Sequence, residues 1–132
     1  MDHTVSNLLV IKEEINSKKT NYNINPKIIA VTKTFETKKF LPLIEYGHID
    51  YGENKVQEAI LKWTDIKEKF KKIKLHMIGK LQTNKVKFAV KIFDYIHSVD
   101  SLKLAKKISL EQKKIGKNIK IFLQINIGKE SQ

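Results

Sequence analysis

The strongest constraint on the fold is a regular alternation of short apolar segments and amphipathic segments. The apolar segments begin near residues 28, 49, 74, 94 and 119, and a stretch of helical periodicity separates each from the next. Strands that alternate with helices in this way form a parallel sheet with right-handed crossovers. The steps of about 20 to 25 residues are short, as in the units of an α/β barrel. We therefore expect an α/β fold with about five parallel strands.

The same periodicity sets approximate bounds for the individual elements. The expected strands span residues 27–32, 49–52, 74–78, 95–99 and 119–127. The expected helices are one over 4–18, one through Phe40 that stops near Gly47, and others over 56–70, 81–92 and 102–116. Pro42 can begin the second helix, because it lacks the amide hydrogen that an internal position donates. Asp100 or Ser101 can cap the last helix. No Pro/Gly/Ser-rich linker divides the pattern, so residues 1–132 are expected to form a single domain.

Composition narrows the possible functions. A chain of 132 residues is about one domain long, too short for an ordinary eight-fold barrel. It has no cysteine, which excludes disulfides and thiolate metal sites, and no H-E-x-x-H spacing, so no metal site is expected. Without a long apolar run at the N-terminus, we expect neither a signal peptide nor a membrane span, and a cytoplasmic location.

The net charge of +12 raises the question of a polyanionic partner. All 26 basic residues are lysines, however, and arginine is the residue that recognises phosphate and guanine with a planar fork. We therefore expect no specific nucleic-acid partner. A lysine-rich module that binds polyanions remains an alternative.

Residues 28–33 (IIAVTK) form an apolar strand that ends in a lysine. Burying an ammonium is unfavourable, but at the carboxyl end of a strand the amine can reach a ligand as a nucleophile. The other strand ends carry Glu53, Asn54, His76, His97 and Asn126. Ligands bind at this edge of parallel α/β folds, so these groups are expected to converge. Each also has an ordinary explanation: an exposed lysine, an acid at a helix start, a turn asparagine or a structural histidine.

Five motifs follow one another along the chain: residues 31–34 (VTKT), 51–58 (YGENKVQE), 76–85 (HMIGKLQTNK), 96–101 (IHSVDS) and 124–128 (QINIG). In this order and spacing they resemble the YggS/PROSC family of pyridoxal phosphate homeostasis proteins. The resemblance implies a partial (β/α) barrel like the N-terminal domain of alanine racemase. It also implies that Lys33 forms an internal aldimine with pyridoxal 5′-phosphate (PLP), with Asn54, His76 and Asn84 lining or supporting the cofactor pocket. His97 and Asn126 would lie beside it.

The function that this resemblance implies is PLP homeostasis: the protein would hold the cofactor without catalytic turnover and supply it to PLP-dependent apoenzymes. The alternative within the same fold is a fragment of a PLP-dependent racemase or decarboxylase. Two departures from the family stand out. Phe35 occupies a position where a second lysine is common, and the chain ends after the fifth predicted strand, before the family's phosphate-binding loops. We therefore expect an incomplete barrel that self-associates through open sheet edges.

Overall fold

Five parallel strands form one sheet, in the order in which they occur in the chain. The structure, a computed structural model, describes residues 2–18 and 25–128. Each strand pairs with the strand that follows it in the chain, and a helix lies in every crossover. The predicted architecture, five parallel strands alternating with helices as in part of a barrel, is confirmed. The strands are β1 (Ala30–Val31), β2 (Asp50–Glu53), β3 (Lys74–Met77), β4 (Tyr95–Val99) and β5 (Lys120–Leu123).

The helices follow the predicted order. They are α1 (His3–Ser17), α2 (Thr37–Tyr46), α3 (Val56–Lys69), α4 (Val86–Ile92) and α5 (Leu102–Lys114), with a 3₁₀ turn at Thr83–Lys85 before α4. Ser101 rather than Asp100 caps α5, because its hydroxyl accepts a hydrogen bond from the Leu104 amide. Gly47 ends α2 with a φ of 112°, a left-handed conformation that favours glycine.

Pro42 does not begin the second helix. It lies inside α2, which starts at Thr37. An internal proline costs about 3 kcal/mol, because one helical hydrogen bond is lost and its ring crowds the preceding turn. The helix nevertheless buries Phe40, Leu43 and Ile44 against the core. Each fully buried side chain of this size contributes about 1.5–3 kcal/mol, so together they outweigh the proline.

The two outer strands are shorter than predicted. Residues 27–29 are not part of β1, and 124–127 are not part of β5. All four residues of β5 are exposed, although the apolar pattern indicated a buried strand. The reason is that β5 is the last strand of the described sheet, so it pairs only with β4. The helix predicted over 81–92 is also shorter, since α4 begins at Val86.

Successive side chains along each strand alternate between two faces of the sheet. The face toward α2 and α3, here called the helix-side face, carries the core: Tyr51 lies with its ring centroid 4.8 Å from that of Trp63. Phe40 stacks on Trp63 with a centroid distance of 5.2 Å. The other face, here called the opposite face, carries Asp50 and His76.

Candidate functional site

Lys33 lies in a tight turn at the carboxyl end of β1. The Thr32 amide donates to the Gly52 carbonyl at 3.0 Å, which extends the pairing of β1 with β2 by one residue. The Phe35 amide donates back to the Thr32 carbonyl at 3.1 Å and closes the turn around Lys33 and Thr34. Counting in steps of two from Val31 assigns Lys33 to the opposite face, where it is exposed. The amine is therefore accessible at the strand end, as predicted.

Glu53, at the end of β2, does not join Lys33 on the opposite face. Its side chain is fully buried on the helix-side face. The Oε2 atom accepts hydrogen bonds from Thr32 Oγ1 at 2.6 Å and from the Trp63 indole at 3.0 Å. It also lies 2.9 Å from the ammonium of Lys62. Oε1 has no hydrogen-bond partner. Glu53 thus connects β1 to α3 and is not part of an exposed site.

Asn54 and Gly79 bring the loops after β2 and β3 together. A Cβ built on Gly79 would lie 2.6 Å from the Asn54 carbonyl oxygen, so only glycine fits at this approach. Asn54 lines a cavity of about 590 Å³ between these loops. Polar residues of these loops, of the first turn of α3 and of the 3₁₀ turn share that lining: Lys55, Gln57, Glu58, Lys80, Gln82 and Lys85.

His76 lies buried in the middle of the opposite face rather than at its edge. Its Nε2 is 2.8 Å from Asp50 Oδ1, and its Nδ1 is 2.9 Å from Nε2 of His97. Since a carboxylate can only accept, Nε2 of His76 donates to Asp50, and Nδ1 of His76 shares a hydrogen bond with Nε2 of His97. The Tyr95 ring stacks on His76 at 4.3 Å between centroids. Both ring nitrogens of His76 are thus already engaged.

His97 continues this row of rings on the opposite face. Its ring centroid lies 4.6 Å from that of Phe122 on β5. Burial, and secondarily the proximity of His76, lowers the pKa of His97 below its ordinary value. His97 is therefore mainly neutral near pH 7 and presents a flat, uncharged ring to this face.

The two remaining asparagines lie farther along the chain. Asn84 is exposed in the 3₁₀ turn, and the lining of the cavity beside Asn54 includes its neighbours Gln82 and Lys85 but not Asn84 itself. Asn126 lies beyond β5, where its side chain accepts a hydrogen bond from the Gly128 amide at 3.3 Å. Neither is brought against Lys33 by a contact among the described residues.

Two residues with important contacts carry no signal in the sequence. Lys62 is one of 26 lysines, yet its ammonium contacts the turn of Lys33 directly. Asp50 precedes the motif at 51–58, and only the strand register shows that it meets His76. Within residues 2–18 and 25–128, no cluster of three His, Asp or Glu side chains could hold a metal ion. No helix in those ranges has both the length and the apolar composition of a membrane span.

Comparison with known proteins links this arrangement to one group. No protein-family model matches the sequence. The pyridoxal phosphate homeostasis protein of Buchnera aphidicola subsp. Schizaphis graminum is 36% identical over 98% of this chain and 58% of its own length. That of Escherichia coli K12 is 28% identical over 99% of the chain and 58% of its own length.

The solved structures agree with the sequence comparison. PipY of Synechococcus elongatus PCC7942 with PLP bound superposes with a TM-score of 0.76 and 31% identity, over 91% of this chain and 55% of PipY. PipY without PLP gives the same TM-score at 33% identity. The chain spans a little over half the length of these relatives. In both sequence and fold, the chain is therefore similar to about half of a pyridoxal phosphate homeostasis protein.

Proposed function

We propose that the protein binds PLP through the amine of Lys33 and takes part in PLP homeostasis without catalytic turnover of its own. The observation that carries this proposal is the position of Lys33. It is an exposed primary amine in a hydrogen-bonded turn at the carboxyl end of β1, the edge where parallel α/β folds bind ligands. The PLP-bound PipY structure, 31% identical over 91% of this chain, supports the choice of cofactor.

The residues on this face are suited to PLP. When bound, the cofactor supplies an aldehyde that condenses with a primary amine and an electron-withdrawing aromatic ring. Lys33 provides the amine. The flat rings of His97 and Phe122 provide an aromatic surface on the same face, and such surfaces favour packing of a planar ring. Asn54, in the loop after β2, can donate and accept hydrogen bonds.

The absence of turnover is inferred from the environment of the histidines. A racemase or decarboxylase needs a positioned acid or base beside the reacting carbon. His76 has both ring nitrogens in hydrogen bonds, one of them to Asp50, so it has no nitrogen to offer. We infer that the protein holds PLP and releases it to PLP-dependent apoenzymes. Transfer is tested by mixing the loaded protein with an apoenzyme and measuring recovered activity against the same concentration of free PLP.

Borohydride reduction in the presence of PLP, followed by peptide mapping, tests the binding site. We expect the label at Lys33, and its loss in Lys33→Ala. Lys38→Ala is the matched control, since Lys38 is an exposed lysine five residues further along the chain. Its label should match that of the unmodified protein. Equal labelling of many lysines, unchanged by Lys33→Ala, would contradict the proposal because it indicates only general amine chemistry.

A further inference from the structure

We infer that Lys62 is a positioning residue for Lys33: together with Glu58 it fixes the turn after β1, so that the Lys33 amine meets PLP in one geometry. This inference rests on the proposed function. It goes beyond it by assigning a role to two residues of α3, neither of which is taken to touch the cofactor.

One ammonium binds both ends of the turn. Lys62 Nζ donates to the Thr32 carbonyl at 2.6 Å and to the Phe35 carbonyl at 2.9 Å. These are the two residues that flank Lys33 and Thr34. The same ammonium lies 2.9 Å from Glu53 Oε2 and 3.0 Å from Glu58 Oε2. With a side chain only 12% exposed, Lys62 makes these contacts where water competes little.

Glu58 holds the middle of the turn. Its Oε2 accepts a hydrogen bond from the Thr34 amide at 2.7 Å. Partial burial raises the pKa of Glu58, but the hydrogen bonds from Lys62 and the Thr34 amide, together with the charges of Lys62 and Lys55, lower it more. Glu58 is therefore ionised at neutral pH, and its charge-assisted bond to the turn is strong.

The turn needs such contacts to keep its shape. Thr34 has a φ of 65°, in the left-handed region that a β-branched residue rarely adopts. Backbone of this kind persists only when its surroundings hold it. The hydrogen bonds of the Thr34 amide and of the Thr32 and Phe35 carbonyls stabilise this conformation. Without them the turn would relax, and the direction of the Lys33 side chain would change with it.

A purely structural role would not require these contacts to converge on the turn of Lys33. Lys67, on the same helix, is a lysine to compare with Lys62. It is 20% exposed and donates to the Ile92 carbonyl at 2.8 Å and to Asp94 at 2.7 Å, so it holds the segment before β4. Lys62 and Lys67 thus have the same chemistry and similar burial, but only Lys62 contacts the turn of Lys33. Lys67→Met is therefore the matched control for Lys62→Met.

The test compares two reactions of the same amine in the full chain. One is capture of PLP at Lys33 under borohydride, and the other is acylation of Lys33 by acetic anhydride, a small reagent that needs no fixed approach. In Lys62→Met we expect the ratio of PLP capture to acylation at Lys33 to fall by about 10-fold, since misplaced reactants lose rate steeply. In Lys67→Met the ratio should be unchanged.

Glu58→Ala is a second variant in case Lys62→Met does not fold. Glu58 is 27% exposed, so its loss is tolerated more easily, and the Lys62–Glu53 contact remains. We expect a smaller fall in the ratio, about 3-fold. An unchanged ratio in both variants, or an equal fall in Lys67→Met, would overturn the positioning role.

Hydrogen exchange of the Thr34 and Phe35 amides gives a readout that does not depend on the cofactor. We expect faster exchange at both in Lys62→Met, because the turn is no longer held. If the unmodified protein shows no selective PLP capture at Lys33, the proposed function fails, but faster exchange in Lys62→Met still supports the role of Lys62 in fixing the turn. If exchange in Lys62→Met equals that of the unmodified protein, Lys62 does not fix the turn either.

Discussion

The two faces of the sheet differ in what their side chains do. On the helix-side face, Phe40, Tyr51 and Trp63 pack ring against ring and are all buried. On the opposite face, Asp50 and His76 form a polar pair whose members depend on each other's hydrogen bond. The helix-side face therefore stabilises the fold mainly through apolar area, whereas the opposite face holds polar rings in place through hydrogen bonds.

The largest loss of stability is expected from a substitution in the core on the helix-side face. Trp63→Ala removes a fully buried ring that packs on Phe40 and Tyr51 and donates to Glu53. We expect a loss of about 3–5 kcal/mol in the free energy of unfolding, measured by urea denaturation. Leu61→Ala on the same helix is the control, because Leu61 is 86% exposed and its loss should change little. Equal effects of both substitutions would contradict the assignment of this face as the core.

A smaller effect is expected on the opposite face. Asp50→Ala leaves the buried Nε2–H of His76 without its acceptor, which costs about 1–3 kcal/mol. Urea denaturation measures the change, and Asp65→Ala, at an exposed position of α3, serves as the control. An Asp50→Ala protein as stable as the Asp65→Ala protein would show that the polar pair does not stabilise the sheet.

The histidines predict a pH dependence. Burial lowers the pKa of both His48 and His97 in the folded protein, while the unfolded chain keeps the ordinary value near 6.5. Below that value the unfolded state binds more protons than the folded state. Stability should therefore be full above about pH 7 and fall as the pH is lowered through 6.5 toward the folded-state pKa values. The urea midpoint measured between pH 7.5 and 5.5, values spanning roughly one unit on either side of 6.5, checks this.

Replacing His97 should show how much this residue contributes to the pH dependence of the urea midpoint. In His97→Gln we expect a shallower decline of the urea midpoint with falling pH, because one group that resists protonation is gone. A midpoint that stays constant across the range in the unmodified protein would contradict the lowered pKa values.

A substitution in β5 should change the stability least, but it should change the self-association of the protein. Leu123 is 69% exposed on the last strand of the described sheet. Exposed apolar edge strands promote pairing between chains, and lysine on such an edge opposes it. Leu123→Lys should shift the sedimentation profile toward monomer while changing the free energy of unfolding by less than about 0.5 kcal/mol. A monodisperse monomer in the unmodified protein would remove the basis for self-association.

The sequence was sufficient for the order and type of the elements. The 3.6-residue pattern of α3 is a strong signal, because one face of this helix must be buried. The short strands β2 to β4 carry polar residues and were placed by their regular spacing between helical segments. It was also sufficient to place Lys33 at a strand end. The prediction that Pro42 begins the second helix was wrong, because burial of the neighbouring apolar residues outweighs the preference of proline for the first helical position.

The contacts of the site could not be read from the sequence. Lys62 looks like any other lysine on a helix, and only the packing of α3 against β1 brings its ammonium to the Thr32 carbonyl. Glu53 was expected at the polar edge, but the strand phase turns it to the helix-side face. A shift of one residue in strand phase exchanges the two faces, and a predicted strand is not bounded that closely.

The sequential order of the strands has a consequence for how the protein forms. Strand starts lie 20 to 25 residues apart, and within the described sheet each strand pairs only with its neighbours in the chain. Each pairing in the described sheet therefore needs only the next strand–helix unit of the chain to be present. The sheet can grow strand by strand as the chain leaves the ribosome, with no need to wait for a distant partner. Ribosome-bound chains of increasing length should gain protection from proteolysis in steps of one strand–helix unit, and a single late step would exclude this route.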